Sequence, residues 1–154
     1  MAPRLSEILA AGAFQVRTFP EGTRTADDAA RAIGCTIGQI VKSLVFVSGQ
    51  QPVIALVSGS NRLDTSRLAA AVGDGSPIKK ADAETTRAAT GFAIGGVPPF
   101  GYLTSLPVFI DPDLLEYDVV WAAAGRPDSV FGITPARLVE LSGASVANLR
   151  EERA

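Results

Sequence analysis

Apolar and polar positions along the chain follow two periods in turn, and each change of period marks an element. Residues 4–12 (RLSEILAAG) repeat at helical spacing and end on Gly12, whereas FQVRTF (14–19) alternates as a short strand does and is closed by Pro20 and Gly22. Thr25, followed by Asp27 and Asp28, is an N-cap with acidic first-turn residues, and it opens an Ala-rich helix that stops at Gly34. QIVKSLVFVSGQQPVIALVSG reads as a hairpin turning at Ser48-Gly49-Gln50-Gln51, the centre of the predicted sheet. Asp64 or Thr65 caps a helix through SRLAAAVG, Pro77–Lys80 forms a short strand, and a further helix runs from Asp82 to Ala89. After the loop GFAIGGVPPFG (91–101) come three strand-like runs, PVFID (107–111), DVVWAAAG (118–125) and SVFGI (129–133). Thr134 with Pro135 then starts a last helix that ends near Gly143. The pattern predicts a single α/β domain of mixed α+β character over residues 1–154, with one mixed, largely antiparallel sheet flanked by helices.

Composition narrows the chemistry. The 154 residues include no histidine, which removes Ser-His-Asp and Cys-His hydrolases, HExxH metalloproteases and His-ligated zinc deaminases from consideration. Any catalysis rests on lysine, carboxylates, main-chain dipoles or the substrate itself, with no cofactor and no metal expected. The one cysteine, Cys35, has no partner for a disulfide or a thiolate site and reads as a small apolar residue at a helix end. A net charge of −2 argues against a broad basic face for nucleic acid, so any RNA contact is local. No apolar run approaches the roughly 20 residues that span a bilayer. The segment MAPRLSEILAAGA carries Glu7 inside its apolar run, unlike a signal peptide, so a cytoplasmic location is expected.

Two features carry candidate chemistry. Strand alternation puts Lys42 on one face with Ile40, Leu44 and Phe46, opposite Val41, Ser43, Val45 and Val47. Spacing alone favours a lysine at a strand start reaching to water; the functional alternative is an ammonium at a pocket mouth, acting on a carbonyl, phosphate or ribose oxygen. The loop 91–101 matches neither a dinucleotide-binding nor a P-loop pattern. Its Gly95 and Gly96 leave the main chain open to close approach by a ligand and Pro98 and Pro99 stiffen it, although general loop behaviour favours a long structural turn with a rigid exit. The segment 122–129 reads as a hairpin turn, Lys79 and Lys80 as a solvated charge pair, and Asp27 and Asp28 as helix-start residues.

Taken in order, TADDAARAIGCTIGQIVKSLVF, VIALVSGSNRLD, TGFAIGGVPPFG, LPVFID and WAAAGRP resemble the YbaK/ProX family of aminoacyl-tRNA deacylases, related to the editing insertion domain of bacterial prolyl-tRNA synthetase; the resemblance covers about residues 14–147. It implies hydrolysis of the ester joining a wrong amino acid to the terminal adenosine of tRNA. The partners it implies are the 3′ acceptor end of aminoacyl-tRNA and an aminoacyl-tRNA synthetase. By resemblance Lys42 is the essential pocket residue, Gly95, Gly96, Pro99 and Gly101 line the aminoacyl-adenosine site, and Ala123, Ala124 and Gly125 form the opposite wall. Ala123 stands where cysteinyl-type members carry a serine, and the histidine of some relatives near Asp128 is missing. The alternative is a non-catalytic module that binds the charged tRNA end, or a synthetase-associated adaptor.

Overall fold

The computed structural model describes residues 4–20 and 25–152; the expected strand end at Gly22 lies outside them. Its elements in order are α1 (Leu5–Ala11), β1 (Val16–Thr18), α2 (Ala26–Ile33), β2 (Val41–Ser48), β3 (Gln51–Ser58), α3 (Thr65–Val72), β4 (Ile78–Lys80), α4 (Ala83–Thr90), β5 (Val108–Ile110), β6 (Val120–Ala123), β7 (Ser129–Ile133), α5 (Pro135–Ser142) and β8 (Ser145–Val146). Single 3-10 turns at Ile37–Gln39 and Pro112–Glu116 complete it.

Helix starts follow from side-chain oxygens that accept the first free N–H groups. Thr25 accepts from Asp28, Asp64 from Ser66 and Arg67, Asp82 from Thr85, and Thr134 from Arg137. Gly34 ends α2 at φ +86°, a left-handed cap that disfavours a Cβ. Asp27 and Asp28 pair with Arg31 on α2, as helix-start residues. The β2–β3 hairpin turns at Gly49, the first central position, with φ +62°.

The strands form two sheets where one was expected. Five strands run in the order β4-β2-β3-β5-β8, and three in the order β1-β7-β6. β3–β5 and β5–β8 are parallel, the other pairs antiparallel. The split has a packing cause. Val41, Val45, Ile54, Leu56 and Ile110 of the larger sheet share one buried cluster with Val120, Ala122, Phe131 and Ile133 of the smaller, so that each sheet covers the apolar face of the other. The two sheets touch edgewise at one bridge, Ile40 to Trp121.

Alternation along β2 divides its side chains as the sequence predicts. Val41 and Val45 enter the core between the sheets, while Phe46 packs with Val53, Ala55 and Val57 against Leu68 of α3 and Leu149. A third cluster, Ala29, Ala30 and Ile40, seats α2 beside the bridge, with half-buried Cys35 and Trp121 against it.

Candidate functional site

A cavity of about 310 Å³ opens where β2 leaves the cover of its neighbours. α2 contributes Ala26 and Ala29, β2 its run from Val41 to Val45, and α4 the buried Thr86; loop 91–101 adds Ile94, Gly95 and Val97, and the β6–β7 hairpin Trp121, Ala123 and Val130. The volume lies at the small end of ligand pockets, and the wall is largely apolar.

Lys42 lies in this wall, half-buried, and its ammonium donates to the Asn61 carbonyl. It does not simply reach to bulk water. Burial pulls its pKa below the ordinary lysine value, the nearby Arg62 charge pulls in the same direction, and Asp111 partly opposes both. Asp111 is fully buried and belongs to a fixed network: its carboxylate accepts from Ser58 N–H at 3.2 Å, from Asn61 Nδ2 at 2.7 Å and from Asp113 N–H at 3.0 Å. Asp113 also accepts from Asn61 Nδ2 and, at 2.8 Å, from Arg150. The main-chain carbonyl that holds Lys42 is therefore carried by a residue whose side chain is clamped on two carboxylates.

Loop 91–101 is a rigid strap. Tyr102 Oη donates to Pro98 C=O at 2.7 Å, and Val97, Pro98, Pro99 and Phe100 are buried. Gly95 faces the cavity with φ +90°. Gly96 stands behind it: its N–H is bonded to Ala93 C=O at 2.9 Å, and a Cβ there would lie 3.0–3.1 Å from the Arg126 main chain. Gly101 and Gly125 both abut Leu5 of α1, and half-buried Ala124 packs on the core. Of the residues the sequence singles out, the structure brings Lys42, Gly95 and Ala123 to the cavity wall; Gly96, Pro99, Gly101, Ala124 and Gly125 lie outside it and brace the strap and the hairpin turn.

Other wall residues escaped the sequence reading. Lys80, expected to be merely solvated, borders the cavity although exposed. Trp121, the only tryptophan, lies in the wall with Arg17 stacked 5.6 Å from its ring centroid and 5.2 Å from that of Phe19. Ser43, next to Lys42, also borders the cavity, and its hydroxyl is buried with no hydrogen-bond partner. A lone tryptophan beside three alanines, and a polar residue on an otherwise valine face, were the available signals.

The Cys35 thiol is pushed up in pKa by burial, the opposite of an activated nucleophile. Among the described residues no group of three or more Cys, Asp or Glu side chains is placed to hold a metal ion, and no helix is long and apolar enough to cross a membrane.

Comparison with known proteins gives the arrangement a context. Residues 20–141 match the family described as "Aminoacyl-tRNA editing domain". The "Putative Cys-tRNA(Pro)/Cys-tRNA(Cys) deacylase EbsC" of Enterococcus faecalis is 26% identical over 132 residues, 85% of this chain and 80% of that protein. A proline–tRNA ligase of Nitratidesulfovibrio vulgaris is 33% identical over 109 residues, 70% of this chain but 19% of the synthetase, so the likeness is to one segment of that enzyme. Among solved structures, one described as "a putative trans-editing enzyme for prolyl tRNA synthetase" superposes with a TM-score of 0.88 at 46% identity, covering 99% of both chains.

Proposed function

The chain belongs to the aminoacyl-tRNA editing domain family, and from that premise we propose that it is a trans-editing deacylase, hydrolysing the ester of a mischarged amino acid on the 3′ end of tRNA in the cytoplasm, in support of a prolyl-tRNA synthetase. The observation that carries this reading is the convergence of Lys42, Gly95 and Ala123, from three distant segments, on one small, mostly apolar cavity. Its size suits an aminoacyl group with the terminal ribose.

The chemistry asked of the protein is modest, because an aminoacyl ester is activated and the chain has no histidine to act as base. Lys42 supplies a positive charge in a water-poor setting, where it stabilises negative charge developing on the ester carbonyl. The Asn61–Asp111–Asp113 network fixes the carbonyl that orients that ammonium. Gly95, without a side chain, lets the terminal ribose approach the main chain. The free ribose hydroxyl beside the ester is then placed to orient the attacking water. Ala123 keeps the opposite wall apolar and narrow, which favours small amino acids.

A deacylation screen across a panel of mischarged tRNAs tests the proposal. Enzyme-dependent release of at least one amino acid is expected; binding to charged tRNA ends with no release of any of them would establish a non-catalytic module instead.

A further inference from the structure

One stretch of β2 has no paired strand on one of its edges. Gly59 N–H bonds to Ile40 C=O, so the main-chain groups of Ile40, Lys42, Leu44 and Phe46 point toward β3. Those of Val41, Ser43, Val45 and Val47 point to the other edge, as the bond from Ala81 N–H to Val45 C=O confirms. On that edge β4 covers Phe46–Ser48, Ala81 takes the Val45 carbonyl, and β6, which runs close by, pairs only at the Ile40–Trp121 bridge. Between these contacts lies Ser43, whose N–H and C=O the register turns to this edge with no ladder partner, and which lines the cavity together with Val41, Val45, Val97 and Val130. The hydroxyl of the same residue is also unpartnered. Unpaired main-chain dipoles at a sheet edge are a template for one more strand residue, and in an apolar wall they require a polar occupant.

We propose that this open edge at Ser43 is the grip for the amino acid itself. Resting on the deacylase reading, it gives that site a substrate geometry: the Ser43 carbonyl accepts from the substrate's free α-ammonium, and the Ser43 N–H donates to the ester carbonyl oxygen. The aminoacyl group thus lies along β2 as a single antiparallel residue that exchanges both bonds with Ser43. The N–H reaches the oxygen on which negative charge develops during attack, so the same contact holds the substrate and lowers the barrier. An amino acid whose amine is acetylated keeps one N–H but loses the charge and adds bulk at that point, so it is held less well.

Proline at position 43 isolates the N–H. That group points away from β3 and lies outside the register of β4, and proline is tolerated in a strand where its missing N–H faces away from the neighbour. Ser43→Pro is therefore expected to fold, with the circular dichroism spectrum of the wild type, and to lose at least ~100-fold in deacylation rate, the scale of one oxyanion donor. Ser43→Ala keeps both main-chain groups and is expected to lose no more than about 10-fold, the scale of one hydrogen bond. An arm independent of folding compares the wild-type protein on one mischarged tRNA with a free and with an N-acetylated amine; the acetylated form is expected to react at least ~100-fold more slowly, having lost a charge-assisted bond and gained a clash. Wild-type rates in folded Ser43→Pro, or equal rates on the two substrates, overturn the grip while leaving the deacylase reading intact. Wild-type protein inactive on every charged tRNA overturns that reading first.

Discussion

Replacing Lys42 by methionine keeps an unbranched apolar stem of similar length and deletes the ammonium. Two effects on the fold oppose one another. The bond to Asn61 C=O is lost, and hydrogen bonds to charged groups contribute about 1.5–3 kcal/mol. The burial and the Arg62 repulsion that hold the lysine pKa down also disappear, which returns a comparable amount. A net change within about 1 kcal/mol corresponds to about 2–4 °C in Tm for a chain of this size. Catalysis has no such offset: loss of one charge that stabilises the transition state costs about 100- to 1000-fold in kcat. The pH dependence supplies a second readout. The Lys42 pKa lies below its ordinary value of 10.5, through burial first, then Arg62, against the pull of Asp111. Activity that needs the ammonium declines as pH rises through the lowered folded value. Between that value and 10.5 the unfolded chain binds more protons than the folded one, so the Lys42 contribution to stability increases with pH. Activity and stability therefore run in opposite directions across one window, and both trends vanish in Lys42→Met. Single-turnover deacylation and thermal melts across that window measure them. A correctly folded Lys42→Met with the wild-type rate would refute the role given to the ammonium.

Three further outcomes are expected. Asp111→Asn removes the charge that raises the Lys42 pKa, so the alkaline limb of the rate profile moves to lower pH; the imperfectly matched amide also destabilises the fold by about 1–3 kcal/mol, read by denaturant titration. Gly96→Ala sets a Cβ 3.0–3.1 Å from the Arg126 main chain, pushing the strap off the β6–β7 turn; a loss of about 1–3 kcal/mol in stability and a raised KM follow, and an unchanged melt with normal KM would mean that the close approach is unimportant. With no histidine and one cysteine, a zinc site would need a ligand set made almost wholly of oxygen, so dialysis against a chelator should leave the rate unchanged, whereas a tRNA ending in a deoxyribose should react much more slowly.

Local elements were legible because their signals are local. Thr25, Asp64, Asp82 and Thr134 announce four helices, and Gly49 sets the hairpin turn. What joins β3 to β5, β5 to β8 and β1 to β7 leaves no such mark, since pairing partners far apart in sequence are chosen by which apolar faces must be covered; the division into two sheets therefore emerged only in three dimensions. The site divides in the same way. Lys42, Gly95 and Ala123 stand out by type and by resemblance, but the open edge at Ser43 exists only because β4 stops short of it and β6 touches beyond it. The glycines behind the wall were legible as unusual, and not as bracing: what Gly96 and Gly125 accommodate is protein main chain and the side chains of Leu5 and Phe92.

The pairing of β1 with β7 also orders the making of the molecule. Thr18 and Ser129 meet across 111 residues, and closing so long a loop delays the smaller sheet until nearly the whole chain is available. A nascent chain that has been synthesised as far as α4 holds the β2–β3 hairpin and Lys42, yet it lacks Ala123 and Val130 and so has no cavity. The cavity is therefore complete only once the final third of the chain has folded back onto the first.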